Sequence, residues 1–497
     1  MQGGRILSLA VAGIAAAGLA QAAEQWRPVE RDPSVQEVPF DDKLFKSDPE
    51  YSVTYDPEAQ IEIYGGKKPV PNAKPPIEIG RGLYDPGEIG DGIEWLGSGK
   101  NRLFPAFSVF GDLRTAVAFN DNGAQEKAVI AAVANLNFNL ELTGTERIHM
   151  FWQPFQDGGQ FTRCEFGGND ESDCSFEGGK EPTTLFFEGD LGAIMTGITD
   201  EYQSYDAPFA IGRVPLLFQN GVWFDDAFLG GAVTPLVAQN SPTLDITNFD
   251  ITVFAGWDEI TSDAFINNAG ARADHEADIY GVAGFFDVAE GYLEVGYAYL
   301  HDTDDNSGGD HSYHNVTAAF SKRYYGKVAN ATRIIGNFGQ DPGPGNVKTA
   351  SGFLLISENA FITHSITLIP YANFFLGWGT PHKAAGTGNL KQVGLNFETD
   401  ALTGFPRLND TGHDAFGGAI GVEYLFGLEQ QVVGEIAFQH PWDDRSGIQD
   451  TQMGFQVRYQ RPLSNRLIFR ADAMYGLLFG AGNRDLMGVR AELRMKL

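Results

Sequence analysis

The sequence predicts an all-β protein, an antiparallel sheet closed into a barrel that crosses a membrane. Three observations lead there. Apolar and polar residues alternate with period two over most of the chain from residue 104 onward. The alternating runs are about 10–13 residues long, more than the usual globular strand and enough to cross a bilayer at a tilt. The runs number eighteen, an even count, and the connections between them largely alternate short and long. Lipid cannot satisfy an open sheet edge, so a sheet in a membrane must close.

In chain order, residues 1–23 come first. Arg5 is the sole charge before an apolar run from Ile6 to Leu19, and Ala20-Gln21-Ala22 fits a small-x-small cleavage site. This is the pattern of a secretory signal peptide. Residues 24–103 are rich in Pro and Gly and acidic. Ile61 to Tyr64 and Ile77 to Ile79 would pair as a small hairpin, kept marginal by the prolines around them. This segment reads as periplasmic or inserted into the barrel lumen. After residue 23 no apolar stretch approaches the length of a membrane-spanning helix.

Residues 104–497 form the barrel. The expected strands are 105–119, 128–142, 146–155, 183–197, 208–216, 225–234, 247–257, 277–288 and 290–300. They continue with 311–322, 330–340, 351–360, 366–378, 414–425, 429–439, 450–460, 464–476 and 485–497. The count falls to sixteen if the irregular stretch 208–234 folds inward instead. Connections 156–182, 258–276, 301–310, 341–350 and 379–413 read as long external loops. Connections 198–207 and 235–246 break the rule, being long where a short turn is due. Aromatic residues recur near strand ends as interface girdles: Phe107 and Phe119, Phe249 and Trp257, Tyr297 and Tyr299, Tyr371 and Trp378.

The polar face carries the candidate site. Arg458, Arg470, Arg490 and Arg494 fall on the inner parity of the last strands, with Asp472 and Glu492 on the same side and Glu423 and Glu435 on neighbouring strands. Two readings stay open. Arginines and carboxylates on opposite walls of a water-filled channel would set up a transverse field. Paired charges would instead fill and stabilise the wall.

Cys164 and Cys174 enclose a short acidic stretch and read as a local disulfide in an exported chain. No His stands beside them to complete a metal site. Residues 301–311 hold several Asp, but the EF-hand pattern fails at Ser307 and Tyr313, so they read as a solvated acidic loop. His311 and His314 point to opposite faces of a strand and cannot simply share an ion. Gly97 to Lys100 lacks the upstream Gly of a phosphate loop. The sequence shows no catalytic triad, so no enzyme, metal or cofactor is expected. A net charge of −30 argues against nucleic-acid binding.

Together the signal, the acidic loops and the alternating strand that runs to the chain end resemble a Gram-negative outer-membrane β-barrel of porin size. The resemblance is architectural and covers roughly residues 104–497. One departure stands out: such barrels most often end in an aromatic residue, and this chain ends Met495-Lys496-Leu497. The resemblance implies a place in the outer membrane, contact with its lipid and lipopolysaccharide, and insertion by the barrel-assembly machinery. It also implies a porin-like channel for passive diffusion of small hydrophilic solutes. The alternative is a barrel scaffold that sheathes or anchors a periplasmic partner, such as an electron-transfer or polymer-export component, through residues 24–103.

Overall fold

The computed structural model describes residues 74–80, 92–93, 102–168, 172–266, 277–303, 309–363, 365, 367–398, 401–426, 430–443, 450–480 and 485–497. The chain divides into two compact units, 1–73 and 74–497, and every described residue lies in the second. The signal peptide and Ile61 to Tyr64 lie outside the described residues.

Eighteen strands form the wall. They are β1 (Ala106–Asp121), β2 (Glu126–Glu141), β3 (Arg147–Trp152), β4 (Thr184–Asp190), β5 (Pro208–Phe218) and β6 (Phe224–Ser241). Next come β7 (Ile246–Asp258), β8 (Ala277–Val288), β9 (Gly291–Asp302), β10 (Tyr313–Tyr324), β11 (Val328–Phe338) and β12 (Ser351–Phe361). The last six are β13 (Leu368–Thr380), β14 (Ala415–Phe426), β15 (Gln430–Pro441), β16 (Gln452–Pro462), β17 (Leu467–Leu478) and β18 (Leu486–Lys496). Each pairs antiparallel with its sequence neighbour. The ring closes where β1 pairs with β18, Asp112 opposite Lys496 through Asp121 opposite Met487.

Closure removes the free edges that lipid would leave unsatisfied. Alternation then assigns the two faces. Val117, Ile130, Ile334, Ile420, Val457 and Val489 stand open on the outside, while Asn315, Arg333, Glu435, Asp472 and Arg490 are buried inside. An apolar outer belt over a polar interior is the membrane-barrel arrangement, inverted from that of a soluble protein. No helix among the described residues is long and apolar enough to cross a membrane.

Four expectations change. First, 183–197 is not one strand: β4 stops at Asp190 and a helix, α1 (Leu191–Thr199), follows it. Asp190 accepts a hydrogen bond from the Ala193 amide at 2.8 Å, an N-cap that stops the extended chain. Second, 208–234 belongs to the wall, with Phe209 to Phe218 paired against Phe224 to Val233, so the count is eighteen and not sixteen. Third, 235–246 is largely strand: β6 runs on to Ser241, bulged against β7. Fourth, 156–182 is no free loop. Its strand Gln160–Phe166 pairs with Ala128 to Ala132 of β2, filling the wall that short β3 leaves open.

Ile77–Ile79 also finds a different partner from the expected hairpin. It pairs with Phe107 to Val109 of β1, on the edge left free below the end of β18.

Candidate functional site

A segment of the chain occupies the lumen. The stretch 379–413 is expected as an external loop, yet Leu390, Val393, Phe397, Leu402 and Leu408, between β13 and β14, are fully buried within the barrel. Their apolar side chains would be exposed in an external loop, and burial against the inner wall removes them from water. Leu390, Val393, Phe397 and Leu408 join Leu354 and Ile356 of β12, Phe375 of β13, Ala419 of β14 and Met474 of β17 in one core. Leu402 packs separately against Ala116 and Ala118 of β1 and Val129 and Ala131 of β2.

Polar contacts fix the insert at both ends of a diameter. At β10, Asn315 donates to the His382 carbonyl at 2.8 Å, and at β11 Asn337 accepts from the His382 amide at 2.8 Å. At β1, Asn120 donates to the Thr403 carbonyl at 2.7 Å. In a ring of eighteen, β1 and β10 stand opposite one another, so the described residues of this segment reach opposite walls of the lumen. Inward tips support it. Ala384 donates to the Trp223 carbonyl at 2.8 Å, and the Trp223 indole donates to Asn315 Oδ1 at 2.7 Å. Lys383 reaches the Gly221 carbonyl at 2.7 Å.

The carboxylate that anchors the middle of the insert is Glu435 of β15. It accepts from the amides of Leu395 and Asn396 and from the Asn396 side chain, each at 2.8 Å, and from the Tyr371 hydroxyl at 2.6 Å. Tyr371 therefore faces the lumen and is no part of the outer girdle. Two wall glycines make room for the crossing. A Cβ on Gly454 would lie 2.3 Å from Asn396 Oδ1, and one on Gly488 would lie 2.6 Å from Pro406.

Among the remaining candidate charges, cross-strand register decides the partners. Asp472 of β17 stands opposite Arg458 of β16 and Arg490 of β18. Arg458, Arg470 and Arg490 all donate to its buried carboxylate, at 2.7, 2.9 and 2.8 Å. Arg458 also meets Glu398 of the insert at 2.8 Å, and Arg490 lies 4.9 Å from the centre of the Phe405 ring. Glu492 takes Arg114 of β1 at 2.7 Å, Arg494 sits 3.6 Å from Asp112, and Glu423 accepts from Gln431 at 2.8 Å. Carboxylates stand among the arginines, not across from them. A transverse field between opposite walls is not what this geometry builds.

One mouth of the barrel holds a cavity of about 340 Å³ between the insert and two loops. Asp263, Lys348, Thr349, His382, Asp410 and His413 line it. The two imidazoles meet edge to face with centres 4.8 Å apart. Burial is the main cause that lowers both: His382 falls to about 3, and His413 is also depressed. Burial likewise raises Asp410. His382 Nε2 donates to the Thr349 carbonyl at 3.0 Å. Among the described residues no group of His, Cys, Asp and Glu is placed to hold a metal ion.

Cys164 and Cys174 are bonded to each other and lie directly opposite in the rim hairpin. Lys127 and Arg163 both bridge to Glu165 beside them, at 2.6 and 2.9 Å.

No family model matches the chain, and no curated protein matches it. Solved structures are similar in outline. One is Pseudomonas aeruginosa OccK2 (OpdF) in complex with glucuronate, at 11% identity and TM-score 0.49, covering 79% of this chain and 98% of that one. Another is Acinetobacter baumannii OccAB4, at 9% identity and TM-score 0.49, covering 81% and 100%. A third is Wzi of Escherichia coli, an outer-membrane carbohydrate-binding β-barrel involved in capsule assembly, at 12% identity and TM-score 0.45, covering 78% and 84%. Nothing about solute or partner passes from these proteins to this chain.

Proposed function

We propose that the chain is a porin-like channel of a Gram-negative outer membrane, narrowed by the 381–414 insert, that passes small hydrophilic solutes by diffusion. The observation that carries the reading is the closed ring of eighteen strands with an open apolar exterior and a polar interior. Barrels of this size enclose a lumen wide enough for water and solutes. The insert reduces that lumen to the space left beside it. Glu435 acts here by holding the insert, and Asp472 with Arg458, Arg470 and Arg490 by holding the wall behind it. The acidic loops at the mouth favour entry of small cations, with selectivity that falls as salt rises.

The insert counts against a sheath around a partner polypeptide, because the chain's own residues already reach opposite walls of the lumen at β1 and β10. Purified protein in planar bilayers is expected to give small, stable, ohmic conductance steps, and liposomes carrying it should swell in small sugars or amino acids. Absence of both activities in correctly folded protein would refute the channel.

A further inference from the structure

The connection between β4 and β5 contains α1, Leu191–Thr199, a helix with no charged residue. Asp190 holds it at its start and also accepts from the Ala207 amide at 2.7 Å, so helix and return segment share one anchor. At Gly192 the return runs against the helix so closely that a Cβ would lie 1.9 Å from the Tyr205 carbonyl oxygen.

The helix also carries an apolar face that is open. Leu191 is 42% exposed, Met195 40%, Ile198 52% and Tyr202, just past the helix, 79%. Steps of four and three residues put Leu191, Met195 and Ile198 on one stripe of the helix. A helix facing water would carry charge there. This stripe also continues an existing surface. Along β4, Leu185 and Phe187 share the outer parity, and Phe187 pairs with outward Ile211 of β5. Leu185 and Ile211 are open members of the apolar belt, and α1 begins where that belt reaches the end of β4.

We propose that α1 is a membrane-interface helix. Its Leu191, Met195 and Ile198 stripe is embedded at the border of headgroups and acyl chains, in the leaflet next to the barrel's terminal end, with Tyr202 at headgroup level. The partner is the phospholipid leaflet. This rests on the reading of the barrel as membrane-spanning and goes beyond it, since a turn at this end could equally stand in water.

Spin labelling of the full chain in phospholipid bilayers tests it. The native cysteines are bonded to each other, so one introduced cysteine can be labelled without reductant. Labels at Met195→Cys and Ile198→Cys are compared with Ile420→Cys on the belt and Val347→Cys at the open mouth. At 195 and 198, collisions with oxygen should exceed those with a nickel chelate severalfold, as at 420 and opposite to 347. Chelate-dominated collisions at 195 and 198, with 420 still reading lipid, would overturn the helix proposal and leave the membrane barrel standing. Exclusion of both reagents from 195 and 198 would mean that protein covers the stripe, and would also overturn it. Chelate-dominated collisions at 420 as well would remove the membrane reading itself.

Discussion

Segments 153–183 and 381–414 both look like long loops at the same end of the barrel, yet they fold in opposite ways. The first stays at the rim and adds strand to the wall, because short β3 leaves the upper part of β2 unpaired. Backbone hydrogen bonds and one disulfide hold it, and Phe176 remains in the open. The second carries Leu390, Val393, Phe397, Leu402, Phe405 and Leu408 spaced between polar residues, and these pull it into the lumen. Loop length says little about where a segment goes. Apolar side chains without a strand pattern, or an open strand edge nearby, say more.

The comparison can be broken on the insert side with the largest effects. Asp472→Ala takes away the carboxylate that Arg458, Arg470 and Arg490 share and leaves three buried guanidinium groups crowded together, and is expected to cost about 3–5 kcal/mol. A lower temperature for the heat-modifiable gel shift would show it. Glu435→Ala unties the insert amides of residues 395 and 396 and is expected to cost about 2–3 kcal/mol of anchoring. Its readout is noisier and larger single-channel current, with the barrel's gel shift nearly kept.

Acid should loosen the same segment at its other end. His382 and His413 are held neutral by burial, with folded values below the unfolded value near 6.5. Stability from a depressed base is complete above that value and is lost as pH falls toward the folded value. Current noise is therefore expected to grow on acidification from about pH 6.5 toward pH 3, and to grow less in His382→Gln.

Rim substitutions should act locally. Cys164→Ser with Cys174→Ser removes a short-loop constraint of about 2–3 kcal/mol. It should expose the hairpin to protease while conductance stays unchanged. Tyr371→Phe removes one of Glu435's donors, about 1 kcal/mol, and should be the mildest insert variant.

Much of the wall was legible beforehand because period-two alternation assigns strand and face together. Asp472, Arg458 and Arg490 could be put on one face from parity, but their direct opposition depends on register, which parity leaves open. The helix at 191–199 was hidden for a different reason. Its small and apolar residues suit a strand as well as a helix, and only Asp190 as a cap marks the change. Tyr371 was misplaced because an aromatic near a strand end fits a girdle until Glu435 is seen beside it. The insert itself was visible only as an apolar excess in a supposed external loop.

The central claim is that residues 381–414 set how much of the lumen is open. Planar-bilayer conductance of the full chain, compared with a variant whose residues 385–409 are replaced by a short Gly-Ser linker, tests it most directly. The wall pairs are untouched by this change, so the barrel should still show its gel shift. A severalfold rise in single-channel conductance in the variant is the expected result. Equal conductance in the two proteins, both folded, would contradict it.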